Sequence, residues 1–337
     1  MKQERFALSE TLSTQAGPLP RLIEPMLAVL GGEPFDSPRH IFEVKWDGVR
    51  VLAFLSGGWV RLQDRYGRDV TGRYPELAGL GRQVGGQDVV LDGEVVVLDK
   101  QGRPDFSRLR LRLAADAATA PRLAAEAPVT YQTFDVLYKD GKPVMAYPLW
   151  RRKNLLHQMV RPGESVRTPD FVEREGFAFF EAAREHGLEG IIAKERESVY
   201  RPGQRSPVWM KVKVYHKEEF VVGGYTFGGG SGQRPLQSLL LGAHDPQGRL
   251  VYIGEVTVAE PAACEALPAL DALQAPACPF LVAPRLSRLI FWCRPELVAT
   301  VRFGEWMPEG KLRFAVFEGL RPDVPPAACL LEEVGGG

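Results

Sequence analysis

The sequence has no long hydrophobic segment, no paired cysteine motif and no net charge. None of its apolar runs approaches the roughly 20 residues that a membrane-spanning helix needs. The first ten residues, MKQERFALSE, lack the apolar core of a signal peptide. These absences favour a cytoplasmic protein without a membrane partner. The cysteines show none of the close spacings of a zinc site and are expected to be ordinary thiols: Cys264, Cys278, Cys293 and Cys329.

The composition is that of a globular protein. Apolar residues make up 45% and charged residues 25% of the 337 positions, and this length is enough for two domains. Equal numbers of basic and acidic residues argue weakly against a nucleic-acid partner, because such proteins are usually basic. The first 213 residues nevertheless carry a small excess of Lys and Arg, and the remainder a small excess of Asp and Glu. A phosphate-binding face is therefore expected in the first part.

Strand patterns surround a charged segment in the first part of the chain. Residues 41–55 and 59–62 have the apolar alternation of strands. The valine-rich run from Asp88 to Asp99 predicts a pair of buried strands broken at Asp92-Gly93. Further strands are predicted at residues 129–138, 188–194 and 208–214, and helices at 106–125, 149–160 and 172–187, the last with Gly187 as its C-terminal cap.

After residue 214 the pattern changes to short strands with Gly- or Pro-rich turns. This pattern predicts a small β-barrel with one helix at about 260–273. A flexible loop is predicted at residues 228–232. The expected organisation is an N-terminal arm over 1–24, a first domain over 25–215, a barrel domain over 216–327 and a flexible tail over 328–337, with the boundary near 215–219.

The charged segment is the hexapeptide KWDGVR at residues 45–50. A lysine amine is a nucleophile only when it is deprotonated. Asp47 and Gly48 supply a tight turn, which would let Arg50 point to the same side as Lys45 and meet a phosphate or a ribose. From the hexapeptide alone, a surface charge cluster at the end of a strand is an equally good interpretation.

The hexapeptide resembles the Lys-x-Asp-Gly-x-Arg motif of the covalent nucleotidyltransferases, which include DNA ligases, RNA ligases and mRNA capping enzymes. Six further segments resemble the other motifs of this superfamily, in its order. They are DRYG at 64–67, LDGE at 91–94, TFDVL at 133–137, PLWRR at 148–152, EGIIAK at 189–194 and WMKVK at 209–213. Other segments resemble the ligase module of bacterial non-homologous end-joining enzymes: YRPG at 200–203, Arg205, FVVGGY at 220–225, RPELV at 294–298 and LR at 312–313.

This resemblance implies an ATP-dependent DNA ligase. The implied fold is α+β, a nucleotidyltransferase (ATP-grasp-like ligase) domain with antiparallel sheets and flanking helices, followed by an OB-fold β-barrel. The implied substrates are ATP and nicked or broken duplex DNA, joined at a 5′-phosphate and a 3′-hydroxyl in DNA repair, with Mg²⁺ or Mn²⁺ as the metal. A monomer is expected, with DNA-repair proteins as possible partners.

The resemblance also assigns roles to individual residues. Lys45 would be the nucleophile, with Arg50, Lys211 and Lys213 completing the catalytic set. Lys211 and Lys213 are two apart on a strand, so that both would face one pocket while Val212 enters the core. Glu94 and Glu189 are the expected metal ligands, since Mg²⁺ prefers carboxylate oxygens. Phe134 would stack on adenine and Glu43 read its amino group, while Arg50, Arg65, Glu94, Lys194, Lys211 and Lys213 complete the nucleotide site.

Five arginines are expected to hold DNA phosphates: Arg65, Arg151, Arg152, Arg201 and Arg205. Residues 108–112, in which arginines and leucines alternate, are expected to form a helix or loop on the DNA-facing rim of the first domain. Two positions depart from the family pattern. Asp64 stands where a serine is usual and would add negative charge near DNA, and Val324 replaces the lysine of the terminal Arg-x-Asp-Lys motif. That lysine faces the departing pyrophosphate in the family, so lysine adenylation is expected either to be slower here or to use Lys311 or Arg313 in its place.

Two other functions remain open at this point. An RNA ligase or capping enzyme of the same superfamily would share the motifs. The region around residues 201–205 and the barrel fit a capping enzyme poorly, and an RNA ligase usually lacks this type of barrel. A catalytically inactive scaffold that binds DNA ends would share the fold, but it would not need Lys45, Glu94, Glu189, Lys211 and Lys213.

Overall fold

The computed structural model describes residues 18–116, 118–228, 235–307 and 309–331 of the chain. Its internal contacts divide the chain into two units, Met1–Val214 and Tyr215–Gly337. The only residues between the last strand of the first unit and the first strand of the second are Val214 and Tyr215.

The first unit combines strands with short helices. Its strands are β1 Leu27–Leu30, β2 Ser37–Val44, β3 Val49–Ser56, β4 Trp59–Asp64, β5 Val89–Val97, β6 Val129–Lys139, β7 Lys142–Pro143, β8 Val166–Arg167, β9 Val172–Arg174, β10 Gly190–Glu195 and β11 Arg205–Lys213. Its α-helices are α1 Phe106–Leu113, α2 Ala120–Glu126, α3 Leu149–Met159 and α4 Gly176–Glu185, and 3₁₀ helices cover Thr71–Arg73 and Pro75–Arg82.

These strands form two sheets, and the chain passes between them twice, from β2 to β3 and from β8 to β9. One sheet has the order β1-β11-β10-β2-β9, and the other β4-β3-β5-β6-β7 with β8 beside β6. The pairings are antiparallel except for β1 with β11 and β6 with β8. Because β2 belongs to the first sheet and β3 to the second, residues 45–48 pass from one sheet to the other.

Strand β3 shows why the sequence of a strand in the second sheet is apolar at successive positions. Val51, Ala53 and Leu55 enter the large core that the sheet shares with the helices. Leu52 and Phe54 face the opposite way, into a smaller core that also contains Trp209 of the other sheet. Side chains of a strand alternate between its faces, so a strand buried on both faces is apolar at every position.

The second unit is a closed barrel with one α-helix. Its strands are β12 His216–Phe227, β13 Leu236–His244, β14 Leu250–Thr257, β15 Gln274–Ala275, β16 Phe291–Phe303, β17 Glu305–Trp306, β18 Leu312–Arg313 and β19 Val316–Leu320, with α5 Ala262–Ala272 and a 3₁₀ helix at Pro326–Ala328. The order β12-β13-β14-β19-β16 closes because β16 also pairs with β12. Closure leaves no free sheet edge among these strands, and it agrees with the barrel expected from the sequence.

Several predicted boundaries were wrong. The run from Asp88 to Asp99 is one strand, not a pair, and Asp92-Gly93 lies inside β5 at a shift in its register with β6. The predicted helix over 106–125 is two helices, and the first part of the helix over 172–187 is strand β9. Gly187 has a φ of +66° and follows α4, as a C-terminal glycine should. Residues 216–219, expected to be a connecting segment, are the first part of β12, paired with β16.

The arm and the tail are partly packed against their own units. Ile23 is buried and its backbone exchanges hydrogen bonds with the Gln63 side chain. Cys329 is buried, and the exposed Leu330 pairs with His244 of the barrel, so residues 329–331 are attached to the barrel where a flexible tail was expected. Most of the predicted arm (1–17), residues 229–232 of the predicted loop and the last six residues lie outside the described part of the chain. The four cysteines are free thiols.

Candidate active site

Lys45 lies at the point where the chain passes between the two sheets. Its backbone N–H donates to the carbonyl oxygen of Gly190 at 2.9 Å, which fixes the start of the crossing to β10. At Gly48 an added Cβ would lie 2.5 Å from the carbonyl oxygen of Val95, closer than a side chain allows. The glycine of the hexapeptide is therefore required by the close approach of β5, and it fixes the short path between Lys45 and Arg50.

Glu189 joins two of the predicted catalytic lysines. Its Oε2 is paired with Nζ of Lys45, and its Oε1 lies 3.0 Å from Nζ of Lys213. Burial alone would raise the pKa of this carboxyl group, but the ammonium groups of Lys45 and Lys213 lower it below its ordinary value. Glu189 is thus ionised at neutral pH and holds Lys45 in place.

Lys211 approaches the same centre from β11. Its side chain lines the pocket beside Lys45, whereas Val212 between the two lysines is buried in the core, as strand alternation predicts. Burial and the nearby charges of Lys45, Arg205 and Lys213 lower the pKa of Lys211. The pocket therefore concentrates positive charge where a phosphate group would meet Lys45.

Arg50 is oriented by Asp92. Its Nε and Nη2 lie 2.5 Å and 2.7 Å from the two carboxylate oxygens of Asp92, and Nη2 also donates to the carbonyl oxygen of Met26 at 3.3 Å. The hydroxyl of Tyr200 donates to the same carboxylate at 2.6 Å. Asp92 is fully buried, so Arg50 is held by a fixed bidentate partner. Asp92 and Tyr200 lie within the segments LDGE and YRPG that resemble family motifs, but the pairing of Asp92 with Arg50 and with Tyr200 is visible only in the folded chain.

Glu94 is the second carboxylate that faces this pocket. Burial raises its pKa to about 7, and the opposing charges of Arg50 and Lys45 only partly counter that effect. The charges of Glu94 and Glu189 disfavour each other, which a bound divalent cation would reverse. Among the described residues no group of three or more His, Cys, Asp or Glu side chains forms a complete metal site. Two carboxylates beside a phosphate pocket fit a Mg²⁺ or Mn²⁺ ion that takes its other oxygens from substrate and water.

The far end of the pocket has aromatic walls and a buried carboxylate. Phe134 and Trp209 meet edge to face with centroids 6.5 Å apart. Glu43 is only 5% exposed and pairs with Lys194, whose Nζ lies 4.3 Å from the Phe134 ring centroid. The guanidinium of Arg50 lies 4.6 Å from the same ring. Glu43 is therefore a buried pocket residue and not a surface carboxylate, and Phe134 is flanked by two cations.

These groups line one pocket of about 570 Å³. The pocket brings together nine of the predicted residues: Glu43, Lys45, Arg50, Arg65, Glu94, Phe134, Lys194, Arg205 and Lys211. Glu189 and Lys213 adjoin it through their contacts with Lys45 and with each other. Arg151, Arg152 and Arg201 are not part of its lining, whereas Tyr66, Arg68, Arg73 and Tyr74, which the sequence analysis did not select, are.

The carboxylate of Asp64 does not add an unpaired negative charge near the expected DNA-binding surface. It is 4% exposed, and it accepts hydrogen bonds from the backbone N–H groups of Tyr66 and Arg68, both at 2.9 Å. Its other oxygen lies 2.6 Å from Nε of Arg68. These bonds hold its pKa below the usual value although burial opposes them. The aspartate shapes the turn that carries the exposed Arg65, and its charge is neutralised by Arg68.

Of two adjacent arginines on α3, only Arg151 is available for DNA. Arg152 is fully buried, and its Nε and Nη2 lie 2.8 Å and 2.9 Å from the oxygens of Asp135. Its assignment to DNA was wrong, because no phosphate can reach it. Arg151 is exposed, with its guanidinium 4.0 Å from the Tyr147 ring centroid.

The other predicted phosphate contacts differ in exposure. Arg201 is exposed, and Arg205 is exposed while donating to the carbonyl oxygen of Ala28 at 2.6 Å. The arginines of residues 108–112 fan out around helix α1. Arg112 is fully buried against Glu76 and is unavailable to DNA.

Val324 is packed within its own unit. It lies against an apolar cluster that includes Val221 and Leu240, so it does not belong to a disordered tail. The neighbouring Arg321 pairs with Asp323 at 2.8 Å and with Glu219 at 3.0 Å. Whether Val324, Lys311 or Arg313 meets pyrophosphate stays a prediction.

Comparisons with known proteins agree with the geometry. Residues 25–213 match the family described as ATP dependent DNA ligase domain, and residues 232–324 match the ATP dependent DNA ligase C terminal region. The chain is 37% identical over 315 residues to the multifunctional non-homologous end joining DNA repair protein LigD of Mycobacterium tuberculosis, covering 92% of this chain and 40% of that protein. It is 34% identical to a probable DNA ligase of Anaeromyxobacter dehalogenans, covering 98% of this chain and 64% of the relative.

Solved structures give the same result. The structure of mycobacterial DNA ligase D complexed with ATP and MES has a TM-score of 0.54 and 36% identity, covering 92% of this chain and 98% of that one. The chain spans about two fifths of the length of the LigD proteins that it matches. In the part of the chain that the structure describes, no helix is long and apolar enough to cross a membrane.

Proposed function

The chain belongs to the ATP-dependent DNA ligase family, and from that membership we propose that it seals nicked or broken duplex DNA through a lysyl-AMP intermediate on Lys45. The observation that carries the proposal is the position of Lys45, which emerges between two sheets beside Glu189 and at the wall of a cationic pocket. The fold is the α+β arrangement with a C-terminal barrel expected for this family.

In the first step the deprotonated Nζ of Lys45 attacks the α-phosphate of ATP. An N–P bond forms, the bond from the α-phosphorus to the oxygen that bridges it to the β-phosphate breaks, pyrophosphate leaves with the electron pair, and the nitrogen releases one proton to solvent. Glu189 is the immediate hydrogen-bond acceptor of the Lys45 amine. Arg50, fixed by Asp92, and Lys211 supply positive charge for the phosphate oxygens, since phosphoryl transfer depends mainly on position and charge.

The two later steps act on DNA. An oxygen of the DNA 5′-phosphate attacks the AMP phosphorus, the N–P bond breaks, and the Lys45 nitrogen takes up the electron pair and a proton. The 3′-hydroxyl then attacks the activated 5′-phosphate, forms the phosphodiester bond, releases its proton to solvent and expels AMP. The exposed Arg65, Arg151, Arg201 and Arg205 are proposed to hold the backbone phosphates, which makes DNA binding sensitive to salt.

A divalent cation, when bound, neutralises charge on the reacting phosphate oxygens. Glu94 and Glu189 are the residues proposed to hold it, and the raised pKa of Glu94 fits a carboxylate that is ionised when a cation binds. We propose Mg²⁺ or Mn²⁺ because both accept carboxylate and phosphate oxygens.

The wider role is proposed from the relatives. Multifunctional LigD proteins act in non-homologous end joining, as their names state, and this chain covers only part of their length. A role in DNA repair, contacts with repair proteins, a monomeric state and a cytoplasmic location are therefore proposals. Sealing assays with matched DNA and RNA nicks and a panel of nucleoside triphosphates separate a DNA ligase from an RNA-directed relative.

The decisive experiment is incubation with ATP labelled at the α-phosphate, followed by denaturing electrophoresis. The wild-type protein is expected to carry the label, while Lys45→Arg carries none, because a guanidinium is not a nucleophile at neutral pH. Lys142→Arg, an exchange at an exposed lysine outside the pocket, is the matched control and should label normally. An unlabelled wild-type protein would support an inactive scaffold, and a labelled Lys45→Arg protein would overturn the assignment of the nucleophile.

A further inference from the structure

One buried lysine, Lys153, lies outside the segments that resemble the family motifs. It does not line the pocket, and it contacts the pocket through Glu43. Lys153 of α3 is 1% exposed, and its Nζ lies 2.7 Å from Oε1 of Glu43. The other oxygen of Glu43 lies 2.8 Å from Nζ of Lys194. The carboxylate is thus held at both oxygens by two lysines from different elements, α3 and β10.

The two lysines stand in different relations to the pocket. Glu43 and Lys194 line it together with Phe134 and Trp209, whereas Lys153 does not. Nζ of Lys194 lies 4.2 Å from the Trp209 ring centroid. Lys153 instead has the ring of Phe171 at 5.7 Å. Lys153 can therefore influence a bound nucleotide only indirectly, through its pocket-lining neighbours Glu43 and Lys194.

The cluster keeps Glu43 ionised. Burial would raise the pKa of Glu43, but the charges of Lys153 and Lys194, together with the hydrogen bond from Lys194, lower it below the ordinary value. Burial, aided by the charge of Lys153, lowers the pKa of Lys194 to about 8. Lys153, which does not line the pocket, is the second cation paired with Glu43. An ionised carboxylate only accepts hydrogen bonds, and its two oxygens have lone pairs left after two lysine contacts.

A hydrogen-bond acceptor beside an aromatic wall favours purines that present a hydrogen-bond donor at the edge facing it. Adenine presents an amino donor at its 6-position, whereas guanine and hypoxanthine present a carbonyl oxygen there. A fixed acceptor favours the donor and disfavours the carbonyl, because the wrong base leaves buried polar groups unpaired.

We propose that Lys153 is a positioning residue that fixes Glu43 as the acceptor for the 6-amino group of ATP, and so sets the base selectivity of the adenylation step. This inference rests on the proposed function, since it concerns the nucleotide from which Lys45 takes AMP. Lys153 touches neither the nucleotide nor the reacting atoms.

The test compares ATP with purine riboside triphosphate, which carries hydrogen in place of the 6-amino group. Single-turnover formation of the covalent nucleotide adduct is measured for wild type, Lys153→Met, Glu43→Gln and the double variant. Methionine keeps a long buried side chain without charge. In Lys153→Met the ratio of the apparent second-order rate constant of adduct formation for ATP to that for the analogue should fall about tenfold, almost wholly through a higher half-saturating ATP concentration. The values for the analogue should stay near those of wild type.

The double variant tests whether Lys153 acts through Glu43. If it does, the double variant is no less selective than Glu43→Gln, because contacting residues of one network are not additive. Lys153→Arg keeps the positive charge and should retain most of the selectivity. Melting temperatures are measured in parallel, and Lys153→Gln replaces Lys153→Met in the same comparison if the methionine variant does not fold.

The outcomes are distinct. Equal losses for ATP and for the analogue would show that Lys153 only stabilises the fold, and would overturn the inference. An unchanged ratio in Lys153→Met would overturn it as well. Absence of any adduct in the wild type with ATP would contradict the proposed function instead.

Discussion

Replacing Asp92 by Asn tests how Arg50 is held. Asp92 is fully buried, and its two oxygens accept from Nε and Nη2 of Arg50 and from the hydroxyl of Tyr200. Asparagine keeps the shape but removes the charge, and it turns an NH₂ group toward at least one of these donors. The guanidinium, whose side chain is 18% exposed, is then left without its counter-ion.

The expected cost follows from that burial. Removing one partner of a buried ion pair destabilises a protein by about 3–5 kcal/mol. The partial exposure of Arg50 places this case near the lower end, at about 3 kcal/mol. For a unit of this size that corresponds to a fall in Tm of roughly 6–12 °C. Formation of the covalent adduct should also slow at temperatures where the variant is folded, because Arg50 loses the orientation that a phosphate contact requires.

Differential scanning calorimetry and single-turnover adenylation measure the two effects. Glu126→Gln is the matched control, since it breaks an exposed Arg–carboxylate pair with Arg122, and exposed pairs contribute little. It should leave both Tm and the adenylation rate unchanged. If Asp92→Asn melts with the wild type, the bidentate pair does not stabilise the fold and the reasoning is refuted.

Other changes probe the remaining groups of the site. Glu189→Gln should slow adenylation about 100-fold, the scale for loss of one preorganised charge, and near-normal rates at saturating Mg²⁺ would contradict its role. Burial raises the pKa of Glu94 from 4.5 to about 7, so the folded protein loses stability as the pH rises between those values. Without metal, Glu94→Gln should therefore melt at a higher temperature than the wild type at pH 8 but not at pH 5. Thermal scans at both pH values measure this difference. Arg151→Ala should keep the wild-type Tm and reduce the salt dependence of DNA binding by about one phosphate contact. Arg152→Ala should lose roughly 3–5 kcal/mol of stability and melt at a lower temperature, because it leaves the buried Asp135 unpaired; the opposite pattern for the two arginines would contradict their placement.

Local patterns in the sequence were sufficient for the elements that carry the site. The apolar runs on either side of residues 45–48 predict the strands that end and begin there, and the structure has β2 and β3 at those places. The spacing of Lys211 and Lys213 predicts a common face, because strand side chains alternate. The barrel strands and the helix before residue 273 are predicted by the same kind of local alternation and turn residues. The order of the motifs along the chain identifies the family, because these motifs contain the residues that carry its chemistry.

Those local patterns could not predict contacts between residues that are far apart in the sequence. Arg151 and Arg152 are adjacent and chemically identical, yet one is exposed and the other fully buried against Asp135. Helix periodicity turns neighbours about 100° apart, but only the packing of α3 decides which one faces the core. In the same way, the sequence marks Glu43 beside the nucleophile, whereas its partners Lys153 and Lys194 lie 110 and 151 residues further along the chain. Ionisation, orientation and burial depend on such long-range neighbours, so the tertiary structure alone determined which charged residues are free to meet a substrate.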